Sequence, residues 1–199
     1  MKTLILKGEP DNVNRVWLLS IRYSGTHYMW NHFQMLGYQQ CVVFWDKMTQ
    51  RGPTGPNQYL HAHLDVGFEY VTHLTMEKVV MPMRNPIAVF KTFIYRHWNS
   101  WSVEQFEPHL LDAYERFTAA YAKYNAFIFL VDDGDQHQQF YQLSDFLNSN
   151  PGIYEQQDNN VATTRKADFT EANGFPKQMV GLYNNPPESI LELAQQYGY

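Results

Sequence analysis

The sequence predicts an α/β domain: a three-layer sandwich with a mostly parallel central sheet. Three observations carry this expectation. Short apolar runs recur along the chain as "VWLLS", "CVVFW", "YLHAHL", "KVVMPM" and "AFIFLV". Stretches with apolar residues at helical spacing lie between several of them. Turn-forming Gly, Pro and Asn residues separate the two kinds of segment. Strands alternating with helices form parallel sheets covered on both faces. The 199 residues suit one domain, spanning 1–199, with neither repeat nor linker.

The elements follow in order. Val16 to Ser20 reads as a buried strand, and residues 26 to 37 as a helix stopped by Gly37. "CVVFW" is a second short strand, followed by the turn-rich loop "DKMTQRGPTGPNQ". "YLHAHL" alternates as a strand does. Residues 67 to 77 remain open, with a short helix as one option. "KVVMPM" is a strand, although Pro82 argues against a regular central ladder. Pro86 suits the first turn of a helix over 86–98, and 103–124 reads as a further helix. "AFIFLV" is the clearest buried strand, and "QQFYQLSDFLN" is an amphipathic helix. The last fifty residues are polar and read as loops, with one short helix near 187–196.

Composition narrows the function. Apolar residues make up 44% and charged residues 18%, as in a folded chain rather than a disordered one. The net charge of −5 argues against a general nucleic-acid binder. Cys41 is the single cysteine, which excludes an internal disulfide and a cysteine-based zinc cluster, and reads as a buried structural thiol. No apolar run approaches membrane-spanning length. "MKTLILKGEPDN" is a poor signal peptide, so a cytoplasmic protein is expected.

Two segments carry chemistry. In "SIRYSGTHYMWNHF" an apolar strand runs into a Ser-Gly-Thr turn and then a helix. Gly25 permits a tight turn, Ser24 and Thr26 supply hydroxyls, and the N–H groups at the helix start can face an anion. Such a turn is also an ordinary loop and helix cap. The Gly-Lys-Ser/Thr ending of a Walker loop is absent. In "MPMRNPIAVFKTFIYRHW", Arg84 falls at a strand end and Thr92 on the next helix. Ligands of parallel sheets bind at the carboxyl ends of strands, so two anion-ready ends suggest a ligand with two phosphate-like groups. The structural alternatives are a surface cation for Arg84 and a backbone-bonded hydroxyl for Thr92.

Together these segments resemble the sulfotransferase family, which moves a sulfuryl group from 3′-phosphoadenosine 5′-phosphosulfate. That family has a strand followed by "PKSGTTW" or "RSGTT" for the 5′-phosphosulfate. A later strand ends in "RNP" or "RDP", with a hydroxyl residue eight positions after the arginine for the 3′-phosphate. Arg84 and Thr92 have this spacing. "FIFLVDDGDQHQQFYQLSDFLN" resembles the family's strand, acidic turn and helix, and "TTRKADFTEANGFPK" resembles its late "RKG" segment. The likeness runs from residue 16 to about 177. It implies a nucleotide-triphosphate-hydrolase-like topology, 3′-phosphoadenosine 5′-phosphosulfate as donor, and no metal. It implies nucleotide contacts from Arg22, Tyr23, Ser24, Gly25, Thr26, His27, Tyr28, Arg84, Thr92, Arg165 and Lys166, with Tyr28 stacking on the adenine.

The chain departs from the family in one place that matters. The family's catalytic Lys or Arg directly precedes Ser-Gly-Thr, whereas here that position is Tyr23 and the cation is Arg22, one residue earlier. Either Arg22 reaches the phosphosulfate from its shifted position, or Tyr23 faces the ligand while Arg22 forms a structural ion pair. The acceptor's proton needs a base, and histidine, with an ordinary pKa of ~6.5, is suited. His61 and His63 share one strand face, and His63, nearer the carboxyl end, is the preferred base. His73 in "VTHL" lies too close to Arg84. The acceptor is expected to be a small hydroxylated molecule or a carbohydrate, and the protein a monomer or homodimer. The rival readings are a non-catalytic nucleotide-binding protein of the same fold and a kinase-like nucleotide transferase.

Overall fold

The computed structural model describes residues 16–41, 57–66, 78–132, 134–151, 154 and 168–199. Among the described residues five strands form one sheet: β1 (Val16–Ser20), β2 (Gln39–Cys41), β3 (Gln58–His63), β4 (Lys78–Met83) and β5 (Phe127–Leu130). All neighbours pair in parallel, in the order β2-β3-β1-β4-β5. The helices are α1 (Thr26–Met35), α2 (Pro86–His97), α3 (Val103–Tyr124), α4 (Gln136–Leu147), α5 (Lys177–Asn184) and α6 (Glu188–Gln196). The second strand lies at 39–41, two residues before its expected start. Residues 42–45 of that run, the 67–77 segment and the Cys41 thiol lie outside the described residues.

β1 is central, flanked by β3 and β4, and all five of its residues are buried. Such a strand reads as a continuous apolar run because both its faces are covered. Val16 and Leu18 join Met29 and Phe33 of α1 and Phe140, Leu143 and Leu147 of α4 on one face. Trp17 and Leu19 join Val89, Phe90 and Phe93 of α2, Leu110 and Phe117 of α3, Met179 of α5 and Ile190 of α6 on the other. Each large side chain so buried contributes roughly 1.5–3 kcal/mol. The chain leaves β1 for α1 on one face and leaves β4 for α2 and α3 on the opposite face. The β1–β4 boundary is therefore the topological switch point, the place where ligands bind in sheets of this kind, at the carboxyl ends of the strands.

Pro82 is tolerated inside the sheet for a geometric reason. The Met83 carbonyl accepts from Val131 N on the β5 side, so Pro82, one residue earlier, turns its ring nitrogen toward β1. The β1–β4 register ends at Leu18 and Val80, so no ladder bond is asked of that nitrogen. β5 corrects the sequence expectation. It is an edge strand, and of its four residues only Phe129 is fully buried. Its open side is closed by side chains: Gln139 Oε1 accepts from Leu130 N (2.7 Å), while Gln136 Nε2 (2.9 Å) and Gln139 Nε2 (3.2 Å) donate to Leu130 O. Two glutamines thus stand in for a sixth strand.

The polar C-terminal stretch also differs from expectation, because it carries two helices. Few apolar residues suffice to dock them: Met179, Ile190 and Ala194 are buried. Among the described residues no helix is long and apolar enough to cross a membrane. The edge closure can be tested. Gln139→Ala removes both bonds to Leu130 and is expected to lower stability by about 1–3 kcal/mol in urea unfolding. Gln142→Ala, at an exposed position of the same helix, should change it by less than about 0.5 kcal/mol.

Candidate functional site

The site begins where the chain leaves β1. Ile21 O accepts from both Ser24 N (3.1 Å) and Ser24 Oγ (2.7 Å), which closes a tight turn. Tyr23 has φ 68° and Gly25 φ 110°. A Cβ on Gly25 would stand 2.5 Å from Val131 Cγ2, so glycine is required there by conformation and by the approach of the turn to the end of β5. α1 starts at Thr26, and among the described residues no side chain caps it. Its first-turn N–H groups, which lack intrahelical acceptors, are what this turn offers an anion. The hydroxyls are committed elsewhere, Ser24 to Ile21 O and Thr26 to Ser20.

Arg22 and Tyr23 diverge. Arg22 turns toward the end of β3, where its main-chain N–H donates to Asp65 Oδ1 (3.0 Å) and its Nε–H donates to Asp65 Oδ2. Its guanidinium lies over the Phe93 ring, 5.4 Å from the centroid. The Asp65 side chain has no solvent exposure. Burial alone would raise its pKa, but His109 and Arg22 outweigh that and hold it at about 2. Tyr23 instead packs edge-on against Phe93, and its hydroxyl meets His97 Nε2 at 2.9 Å. Burial raises the Tyr23 pKa. The sequence left open whether Tyr23 faces a ligand; its hydroxyl faces His97.

The second motif meets the first across the switch point. Arg84 Nη1 donates to the Tyr23 carbonyl at 3.4 Å, and Arg84 Nε lies 3.3 Å from both carboxylate oxygens of Asp132. The pair is about one-third exposed, 33% and 34%. The local sequence explains the geometry. Asn85 caps α2 by accepting from Ile87 N (2.9 Å), and Pro86 occupies the first turn, which leaves Arg84 at the strand tip. Tyr114 of α3 donates to the Arg84 carbonyl (3.0 Å) and fixes that backbone.

The β3 histidines form a third group. Ser20 Oγ meets Thr26 Oγ1 (2.9 Å), His61 Nε2 (2.9 Å) and His63 Nδ1 (3.2 Å). A hydroxyl donates one hydrogen bond, so at least one of the two imidazole nitrogens facing Ser20 carries a proton. When His63 donates from Nδ1, its Nε2 holds the lone pair, as a base requires. Burial, followed by the proximity of His63 and His27, lowers the His61 pKa to about 3. The His63 pKa is lowered by burial, with Asp65 opposing. Both imidazoles are neutral at pH 7. Among the described residues no three His, Cys, Asp or Glu side chains gather as a metal site would require.

Four expected contacts fall outside this grouping. The Tyr28 ring is buried in the core against Phe129 and His32, and its hydroxyl donates to Gln136 Oε1 (2.8 Å), so it offers no open face for an adenine. Thr92 donates to Ala88 O (2.8 Å), four residues back on its own helix; meeting a phosphate would require breaking that bond. Arg165 and Lys166 lie outside the described residues. His27 is exposed beside Trp30 at the start of α1 and remains near the turn. Sequence reasoning missed Asp65, His97, His109 and Asp132. Asp65 follows "HAHL" directly and Asp132 stands in the acidic turn after "FIFLV", so an acid just past a strand end was the available signal for both.

The chain matches no protein-family model and no curated protein sequence. A pH test follows from the buried imidazoles. In the unfolded chain His61 returns to ~6.5, so between about pH 6.5 and 3 the unfolded state binds more protons and stability falls with falling pH. His63 and His32, also lowered by burial, act in the same direction. In urea unfolding His61 alone should cost roughly 1.4 kcal/mol per pH unit as the pH falls from about 6.5 to 4. His61→Gln should flatten that slope by about one group.

Proposed function

We propose that the protein is a sulfotransferase that moves the sulfuryl group of 3′-phosphoadenosine 5′-phosphosulfate to a hydroxyl acceptor. The observation that supports this most is the 3.4 Å contact from Arg84 to the Tyr23 carbonyl. It joins the two motifs that resemble the family's phosphosulfate and 3′-phosphate segments, at the position in a parallel sheet where ligands bind. In this reading the first-turn N–H groups of α1 hold the 5′-phosphate, and Arg84 holds the 3′-phosphate. Arg22 faces the oxygen that bridges phosphorus and sulfur.

The transfer is an in-line displacement. The acceptor oxygen forms a bond to sulfur while the sulfur–oxygen bond to the 5′-phosphate breaks, and the electron pair leaves on the phosphate oxygen. Positioning and stabilisation of that developing charge supply most of the acceleration. The acceptor's proton passes to His63 Nε2 in the tautomer that donates Nδ1–H to Ser20, and then to solvent. Arg165 and Lys166 enter this reading only through the resemblance of their segment to the late family motif.

A second reading, a nucleotide-binding protein without turnover, draws on the fact that both cations already hold carboxylates, Arg22 with Asp65 and Arg84 with Asp132. A kinase-like transferase has less support, because no lysine stands in the turn. Calorimetry with 3′-phosphoadenosine 5′-phosphate and with AMP separates these. A charge-assisted bond contributes about 1.5–3 kcal/mol, so the 3′-phosphorylated nucleotide should bind at least about ten-fold tighter. Arg84→Ala should erase most of that preference while leaving AMP affinity nearly unchanged. Equal affinity of the native protein for the two nucleotides would overturn the proposal. Binding with this preference, without turnover of 3′-phosphoadenosine 5′-phosphosulfate across hydroxyl acceptors, would favour the second reading.

A further inference from the structure

We infer that Asp65 is a positioning residue, which holds the Arg22 guanidinium so that its two terminal nitrogens are free to meet the anionic ligand. The inference rests on the sulfotransferase reading and explains how a cation one residue out of place can serve it. A carboxylate commonly takes an arginine through two side-chain nitrogens at once. Asp65 does not. It takes the Arg22 main-chain N–H on one oxygen and Nε–H on the other. Nη1 and Nη2 have no hydrogen-bond partner among the described residues. The Phe93 ring supports the guanidinium from one side. His109 Nε2, 3.4 Å from Asp65 Oδ2, completes the surroundings of the carboxylate, and its ring is wedged edge-on between Phe93 and Trp101. Backbone, side chain and ring therefore fix Arg22, while a quarter of its side chain stays exposed.

The sign of one measurement separates positioning from simple charge. A carboxylate beside an anion site repels the anion, so if Asp65 were only a nearby charge, Asp65→Asn would tighten binding. If Asp65 acts through Arg22, Asp65→Asn loosens the fork and weakens binding.

The probe is 3′-phosphoadenosine 5′-phosphate, titrated by calorimetry into the native protein, Asp65→Asn, Arg22→Ala and the double variant, each checked by thermal unfolding. Asp65→Asn and Arg22→Ala should each raise Kd at least about ten-fold, and the double variant should bind no more weakly than Arg22→Ala alone. A purely structural Asp65 would lower the melting temperature and leave the Kd of the folded protein unchanged. Unchanged or tighter binding by Asp65→Asn, or losses that multiply in the double variant, would overturn the inference. Should Asp65→Asn fail to fold, Arg22→Lys decides. It keeps the charge but has neither Nε nor the fork, so it should bind as poorly as Arg22→Ala, and native-like binding would overturn the inference. Failure of the native protein to bind the nucleotide would instead overturn the functional reading beneath it.

Discussion

β1 is closed on four sides, by a helical layer on each face and a parallel neighbour on each edge, and the site is arranged around that closure. Within it only apolar groups are free of cost, and Val16 to Leu19 obey. Ser20 is the first polar side chain, and it is fully buried. A buried hydroxyl without partners costs several kcal/mol on transfer scales that lack hydrogen bonding. Thr26, His61 and His63 satisfy it. The register that sets Leu18 beside His61 and Ser20 beside His63 puts both imidazoles on the α1 face at the carboxyl end of the sheet. Their neutrality follows from the same burial.

Beyond Ser20 the chain opens in two directions. Arg22 crosses toward β3 and ends on Asp65. Tyr23, in a left-handed conformation, sends its ring to α2 and its carbonyl to Arg84. Phe93 touches both consequences, with its face under Arg22 and its ring against Tyr23. His97 then stacks on Trp101 at 4.8 Å, and Trp101 meets His109. A continuous wall of aromatic and imidazole rings on α2, α3 and the turn between them thus braces the turn on one face, while Val131 limits it on the other. Ring pairs of this kind add about 0.5–1.5 kcal/mol each beyond their burial.

What the sequence made legible follows from how local each signal is. β1, α1, α2 and α3 are written in local periodicity, and the structure carries them close to their expected bounds. β5 was misjudged as interior because an apolar tetrapeptide does not state who lies beside it; the glutamines that close its edge come six to nine residues later. α6 lies where the short helix near 187–196 is expected, whereas the sequence reads α5 as loop because a helix can dock through one buried side chain, here Met179. At the site the strand tips were legible, but their partners were not. Asp65 reaches Arg22 only because β3 lies beside β1, and Asp132 reaches Arg84 only because β5 lies beside β4. Thr92, eight positions after Arg84, has its hydroxyl on Ala88 O, which is the backbone-bonded alternative the sequence also offers.

The two arginines at the switch point are not equivalent, and under the sulfotransferase reading the difference sets an order for ligand capture. Arg84 and Asp132 are one-third exposed, with contacts of 3.3 Å. Such a pair contributes about 0–1 kcal/mol and is weakened by salt. Under the sulfotransferase reading an incoming phosphate would take Arg84 from Asp132, whose Oδ2 keeps the Asn85 N–H (3.2 Å). Arg22 and Asp65 are tied through the backbone and a fully buried carboxylate, and removing one partner of such a pair leaves an uncompensated charge. That contact has no reason to break, and it leaves the terminal nitrogens of Arg22 unspent. Under the sulfotransferase reading the exposed arginine exchanges partners on binding, and the buried one waits in place. The 3′-phosphate would then be gripped by a side chain that moves, and the reacting phosphosulfate by one that does not. Charge developing in a transition state is best met by such a fixed group, because no reorganisation is left to be done at the moment of reaction.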